Sequence, residues 1–157
     1  PRLKKVTKAI GEIRYEVEEA GTLDSNEVKF QKTCADATVL ARNLANTRGS
    51  VADPAYMEEQ IRELVAGSDK CTLEVLDGAQ LLEQGMGLFH AVGRGADIPP
   101  RCVIVNYRGD PDSTEVEIAL IGKGVTYDTG GLNLKPTGFM EDMYGDKGGS
   151  CAVIGAL

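Results

Sequence analysis

The segment IGKGVTYDTGGLNLKPTGFMEDMYGDKGGSCAVI, from Ile121 to Ile154, is the most informative part of this 157-residue chain. It places Lys123, Asp128, Lys135 and Asp146 among eight glycines. The apolar run before it, at residues 115–121, predicts a buried β-strand that ends just before Lys123, where open α/β sheets bind their ligands. Two carboxylates and two amines on glycine-rich loops indicate a site for a divalent cation and for chemistry at a polarised carbonyl.

The residue types in this segment limit the chemistry further. The adjacent glycines Gly130 and Gly131 allow a positive φ and let the backbone approach a ligand closely. Carboxylate oxygens on such loops suit Mg²⁺, Mn²⁺ or Zn²⁺. A lysine ligates only as the free amine, whereas a charged lysine can face a developing oxyanion. A pair of metals about 3.5–4 Å apart needs a bridging carboxylate and several more oxygens, so these residues alone do not assign the roles.

Simpler interpretations of the same residues stay open. A glycine-rich loop with solvated charges would show the same composition. A phosphate-binding loop would also use glycines near lysine, although the G-x-x-x-x-G-K-[ST] order is absent. Taken alone, Met143 is typical of a core residue, His90 of packing or surface, and Cys151 of an inert buried thiol. The acidic cluster in the second predicted helix is interpreted as a solvated face: Glu58, Glu59 and Glu63.

Composition narrows the class of protein. The formal net charge of −7 argues against nucleic acid as the main partner. No run approaches about 18 consecutive apolar residues, so no membrane span is expected. The four cysteines contain no C-x-x-C pair and the chain has one histidine, which disfavours a Cys/His zinc site. We interpret them as reduced thiols of an intracellular protein.

Helical and strand patterns alternate and predict an α/β domain with a mixed, mostly buried β-sheet flanked by helices. Helices are predicted at residues 24–46, 54–67, 78–84 and 86–93, the second from the N-cap signal Asp53-Pro54. Strands are predicted at residues 71–77, 101–107 and 115–121. The chain starts on Pro1 and closes on an apolar segment without a C-cap signal, so we expect a part of a larger protein.

The central segment resembles the metal-binding signature of the M17 leucyl aminopeptidases, V-G-K-G-[IV]-T-[FY]-D-[ST]-G-G-[IL]-x-[IL]-K. It stands here as IGKGVTYDTGGLNLK at residues 121–135, and Asp146 before Lys147-Gly148-Gly149 continues the match. Upstream, residues 41–46 (ARNLAN) resemble the family's A-R-D-L-x-N, and residues 85–95 its G-M-G-x-x-x-x-V-x-x-G. The resemblance implies a truncated first half of a cytosol aminopeptidase catalytic domain at residues 23–157. Residues 1–22 would then be a linker helix from a missing N-terminal domain.

By position, the resemblance implies that Lys123, Asp128 and Asp146 are ligands of the tighter of two metal sites, and that Asp128 bridges to the second metal. Lys135 would be the catalytic lysine that contacts the substrate and polarises its scissile carbonyl. Met143 would line the pocket for the substrate's N-terminal side chain. The implied cofactors are two divalent ions, Zn²⁺ or Mn²⁺ with Mg²⁺ as a third candidate, and bicarbonate in the complete site.

The sequence also departs from the family pattern. The second family signature, N-T-D-A-E-G-R, which supplies further ligands, does not occur in these 157 residues. The loop Asn46-Thr-Arg-Gly-Ser50 differs from the usual N-x-P-x-N form, and Lys147 stands where a small or apolar residue is common. We therefore expect the 157 residues alone to be inactive, with the remaining ligands supplied by further polypeptide or by a companion chain.

Two hypotheses follow. The first is a two-metal aminopeptidase that removes leucine-like N-terminal residues from peptides, assembled by resemblance as a hexamer and located in the cytoplasm, with an organelle as the alternative. The second is a catalytically incomplete homologue with a structural or assembly role. The sequence does not select the physiological metal or the preferred N-terminal residue.

Overall fold

The computed structural model describes residues 24–113 and 115–157. The chain divides into two compact units, Pro1–Cys34 and Ala35–Leu157. The described elements, in chain order, are α1 (Ser25–Asn46), α2 (Pro54–Val65), β1 (Cys71–Leu76), α3 (Gly78–Glu83), α4 (Gly87–Gly93), β2 (Cys102–Tyr107), a 3₁₀ turn (Met143–Gly145) and α5 (Gly148–Ala156). The predicted linker at residues 1–22 lies outside the described residues and stays a prediction.

Helix starts follow from local capping. The Asp53 carboxylate accepts a hydrogen bond of 2.8 Å from the Tyr56 amide, and Pro54 occupies the first helical position of α2. Asp77 accepts from the amides of Ala79 and Gln80, and the Gln80 side chain accepts from the Asp77 amide, which is a complete capping box at the start of α3. These bonds satisfy amides that have no intrahelical partner, and the sequence-based helix predictions are confirmed to within two residues.

The sheet is smaller than predicted. Strands β1 and β2 pair antiparallel, with Cys71 opposite Tyr107 and Leu76 opposite Cys102. Burial alternates along most of β1, so one face is covered and the other is more open. The α/β class is as predicted, but the sheet is neither mixed nor mostly buried in the described residues.

The third predicted strand, at residues 115–121, is a wrong prediction because this run is irregular in the structure. Val116, Ile118 and Ile121 are 79%, 76% and 92% exposed. An apolar run becomes a strand only where a neighbouring strand completes the hydrogen-bond ladder and a second layer covers its side chains. Among the described residues, no strand pairs with this run. Within the same described part of the chain, no helix is both long and apolar enough to cross a membrane.

A small core joins the end of α1 to α2 and α5. Its buried members are Leu44, Ala52, Met57, Ile61, Cys151 and Ile154. Each fully buried leucine or isoleucine side chain contributes roughly 1.5–3 kcal/mol of transfer free energy. Because Cys151 and Ile154 lie in α5, this core fixes the helix that directly follows the glycine-rich segment.

The interpretation of Glu58 as a solvated residue is wrong. Glu58 is only 8% exposed, and its carboxylate accepts hydrogen bonds from the side chains of Arg62 and Arg101. Burial raises the pKa of Glu58, but the two arginine hydrogen bonds and charges outweigh it, so its pKa lies below the ordinary value. Arg101 lies 43 residues away in the chain, so no local pattern could predict this partner.

Replacing Glu58 with glutamine is expected to lower the free energy of unfolding by about 2 kcal/mol at neutral pH. A buried, unpaired arginine costs about 3–5 kcal/mol, and the partial exposure of both arginines reduces that penalty. Because the folded pKa of Glu58 is lowered, this contribution is present at neutral pH and is lost as the pH falls through that folded pKa. Urea unfolding at pH 7 measures the effect. The control is Glu59→Gln at an exposed position, and equal destabilisation by both variants would contradict the prediction.

Candidate metal and catalytic site

The four predicted site residues form two ion pairs. Lys123 Nζ lies 2.7 Å from Asp146 Oδ2, and Lys135 Nζ contacts Asp128 Oδ2. The side chains of Lys135 and Asp128 are 26% and 39% exposed, so this pair is partly shielded from solvent. The structure therefore brings together residues that are 7 and 23 positions apart in the sequence.

Asp128 is held by its own turn. Its Oδ1 accepts a hydrogen bond of 2.7 Å from the Gly130 amide, and Lys135 closes the turn by donating its amide to Thr129 O at 2.8 Å. The Lys135 hydrogen bond and the Gly130 amide lower the pKa of Asp128, and the charge of Lys123 adds to the effect. Asp128 is therefore a stable carboxylate at neutral pH, with both lysines in its electrostatic field.

This turn requires glycine. Gly130 has φ of +99°, and a Cβ there would lie 2.5 Å from Asn133 O. Gly131 also has a positive φ, +78°, but a Cβ there would meet nothing within 4 Å. A side chain at Gly130 would therefore meet both backbone strain and a steric clash, whereas one at Gly131 would meet backbone strain alone.

We expect Gly130→Ala to weaken Mn²⁺ binding by about tenfold or more, because relief of the clash with Asn133 O displaces the Asp128 turn. Gly131→Ala carries only the strain of a positive φ, roughly 1–3 kcal/mol of folding stability, and is the matched control. Mn²⁺ titration of the folded protein at its natural length (the natural-length protein) measures the affinity. Thermal unfolding of the same variants measures the change in stability. Equal Mn²⁺ affinities in the two variants would contradict the prediction that the Asp128 turn positions a metal ligand.

Lys123 and Asp146 are positioned by α5. The Ser150 amide in the first turn of α5 donates to Lys123 O at 2.8 Å, and this bond holds the backbone around Lys123 against the helix. Asp146 directly follows the 3₁₀ turn and donates its amide to Met143 O at 3.1 Å. The backbone of Lys123 is therefore fixed to α5, and that of Asp146 to the 3₁₀ turn that precedes this helix.

Met143 contacts Lys135. The Lys135 Nζ lies 3.0 Å from Met143 Sδ, so this methionine helps to position the amine. A cavity of about 410 Å³ lies beside Lys135, and its lining includes Met140. The residues that line it are Tyr127, Leu134, Lys135, Pro136, Thr137, Met140 and Glu141. The pocket role of Met143 stays a prediction.

Sequence reasoning missed the residues that brace the site. Lys147 is fully buried, although the sequence marked it only as a departure from the family pattern. Burial lowers the pKa of Lys147, and the charge interaction with Cys151 opposes that effect. The Lys147 Nζ donates to three backbone carbonyl oxygens. Arg48 lies over the Tyr144 ring at 4.8 Å. The detectable signal was a lysine at the start of an otherwise apolar helix.

The donor set fits one divalent cation better than two. Two carboxylates and a lysine amine suit a divalent metal, provided the amine is neutral. Within residues 24–113 and 115–157, no three His, Cys, Asp or Glu side chains converge as a metal cluster. A second metal would need oxygen ligands in addition to the two carboxylates described here.

Comparisons with known proteins show which class of domain this fold represents and assign the family. Residues 39–157 match the model of the cytosol aminopeptidase family, catalytic domain. The chain belongs to this family, M17, as its sequence motifs predicted. A probable cytosol aminopeptidase of Pseudomonas fluorescens (strain SBW25) is 38% identical over 156 residues, which cover 99% of this chain and 30% of that protein. One of Methylobacterium radiotolerans is 44% identical over 133 residues, covering 85% of this chain and 26% of that protein.

Solved structures agree with the sequence comparisons. Leucine aminopeptidase LAP1 of Caenorhabditis elegans superposes with a TM-score of 0.76 at 30% identity, over 86% of this chain and 27% of that one. The bottromycin maturation enzyme BotP in complex with Mn gives a TM-score of 0.70 at 35% identity, over 91% of this chain and 32% of that one. The chain thus spans about a third or less of the length of these relatives.

Proposed function

We propose that the natural-length protein containing this chain is a two-metal aminopeptidase that releases leucine-like N-terminal residues from peptides. One observation carries the proposal: the Lys135–Asp128 pair lies in the electrostatic field of Lys123, which itself pairs with Asp146. All four residues fall in the segment that belongs to the aminopeptidase catalytic domain. The 157 residues alone are proposed to be inactive, because two carboxylates do not complete a two-metal site.

In this proposal Lys123, Asp128 and Asp146 hold the tighter cation, and Asp128 also faces the second. The lowered pKa of Asp128 supports a ligand role, because the carboxylate is already ionised at neutral pH. The Lys135 Nζ contacts Asp128 Oδ2, the carboxylate oxygen that a cation would also use, so a bound cation would free the Lys135 amine for the substrate. Bound divalent metals would supply Lewis acidity and a water of lowered pKa.

Lys135 is proposed to act on the substrate. Its ammonium group would donate to the scissile carbonyl oxygen and stabilise the negative charge that develops there. Met143, in contact with the same Nζ, would orient the amine and line the pocket for the N-terminal side chain. The cavity of about 410 Å³ beside Lys135 offers space for an apolar side chain.

The finer features of the proposal follow the family resemblance. The metals are Mn²⁺ or Zn²⁺, with Mg²⁺ as a third candidate, and the structure of BotP in complex with Mn supports manganese. Bicarbonate would serve the completed site, and peptides are the substrates. A hexamer, or a companion chain that completes the domain, is the proposed assembly. The relatives' description as cytosol aminopeptidases supports the cytoplasm as the compartment.

A catalytically incomplete homologue with a structural or assembly role is the second candidate. It is favoured by one observation: the described residues contain no cluster of three His, Cys, Asp or Glu side chains suited to a metal. The intact set of Lys123, Asp128, Lys135 and Asp146 favours the enzyme.

The deciding experiment measures leucine release by the natural-length protein after chelation and reloading with Mn²⁺ or Zn²⁺. Leucine p-nitroanilide is the probe, and an N-acetylated leucine substrate is the control because it lacks the free amine. The 157-residue chain is assayed in parallel and should be silent. A folded, metal-loaded natural-length protein without activity on several N-terminal residues would support the structural role instead.

A further inference from the structure

Lys147 is a buried cation whose hydrogen bonds are all made to backbone. Its side chain is 0% exposed, and Nζ donates to Thr47 O at 2.7 Å, to Ala45 O at 3.2 Å and to Tyr144 O. An ammonium group has three N–H donors, so each one has an acceptor here. Lys147 is therefore neither a solvated charge nor an available metal ligand.

The three acceptors join two separate parts of the chain. Ala45 lies in the last turn of α1 and Thr47 just beyond it, where carbonyl oxygens lack intrahelical partners and a helix end favours positive charge. Tyr144 lies in the 3₁₀ turn that leads into Asp146. Because Asp146 stands between Tyr144 and Lys147, the backbone on both sides of this carboxylate is tied to α1.

The loop after α1 also reaches the other half of the site. Arg48 lies over the Tyr144 ring at 4.8 Å, and Lys147 Nζ lies 5.7 Å from the same ring centroid. Gly49 packs so closely on the next loop that a Cβ there would be 3.0 Å from both Thr126 O and Tyr127 Cβ. Tyr127 immediately precedes Asp128, so residues 47–50 contact both loops that carry the carboxylates.

We propose that Lys147 is a positioning residue for the cation site: it fixes the 47–50 loop and the Asp146 turn in the geometry that divalent metal binding needs. The inference rests on the proposed function. It also connects two departures from the family pattern, since the unusual loop at residues 46–50 supplies the Thr47 carbonyl that Lys147 binds.

The test is Lys147→Met in the natural-length protein, because methionine has a similar length but leaves the three carbonyls without a donor. The expected result is a Kd for Mn²⁺ raised about 10- to 100-fold relative to wild type, the range typical for groups that orient metal ligands. A purely stabilising lysine would lower the melting temperature and leave the Kd of the folded protein unchanged. Lys70→Met, at an exposed lysine, is the matched control and should match wild type in both measurements.

A second variant covers the outcome in which Lys147→Met does not fold. Arg48→Ala keeps the buried lysine but removes the contact on Tyr144, and it should raise the Mn²⁺ Kd several-fold. A folded Lys147→Met protein with wild-type Kd overturns the positioning role, as does an unchanged Kd for Arg48→Ala where Lys147→Met is unfolded. Wild-type protein that binds no Mn²⁺ overturns the proposed function together with this inference, so the two failures are distinguishable.

Discussion

Asp128→Ala is expected to abolish metal retention and leucine release together in the natural-length protein. Asp128 is proposed to contact both cations, so its loss removes a ligand from each metal. Bound metal supplies several kcal/mol of transition-state stabilisation, and each 1.4 kcal/mol is about tenfold in rate, so turnover should fall by about three orders of magnitude or more. Metal content by mass spectrometry and kcat on leucine p-nitroanilide measure the two effects.

Two further variants separate the ligand role from the turn. Asp128→Asn keeps an oxygen that can accept the Gly130 amide but removes the negative charge, so it should lose metal nearly as completely as alanine. Asp142→Ala removes an exposed carboxylate from the same segment, where its side chain caps no helix, and should behave as wild type. Normal metal content in Asp128→Asn would assign Asp128 to the turn alone.

Lys135→Ala should lower turnover without loss of bound metal. The amine is proposed to act on charge that forms in the transition state, so metal content should stay at the wild-type level while kcat falls by about 10²- to 10³-fold. KM should change much less, because the interaction is weak in the ground state. Metal analysis and steady-state kinetics on the same preparation measure this.

The control for Lys135 is Lys70→Ala, which removes an exposed lysine outside the site. Loss of bound metal in Lys135→Ala would reverse the assignment and make this lysine a ligand or a structural partner of Asp128. An unchanged kcat with normal metal content would remove Lys135 from the chemistry altogether.

Local sequence rules predicted the structure correctly where the hydrogen-bond partners lie within a few residues of each other. The Asp53 and Asp77 caps each bond to amides two or three positions ahead, so the starts of α2 and α3 were readable from the sequence. The Asp128 turn is equally local, since Gly130 donates from two positions away. Family membership also followed from the sequence, because residues 121–135 carry a long motif without gaps.

Local rules failed where the partner is remote. The run at residues 115–121 has the composition of a strand, but a strand depends on a neighbour that the run itself does not specify. Glu58 sits in a cluster of glutamates on a helix, and its burial depends on Arg101, which is distant in sequence. In both cases the local sequence indicates the residue type correctly but does not reveal which remote segment, if any, packs against it.

The sequence by itself determined the family, the α/β class, the helix boundaries and the four residue types of the candidate site. Only the tertiary structure decided which lysine pairs with which aspartate, and that Lys147 is buried on carbonyls 100 and 102 residues away. The physical reason is the separation in sequence over which each kind of interaction acts. Capping and turn preferences act over a few neighbouring residues, whereas burial and ion pairing depend on which remote segments the core brings together.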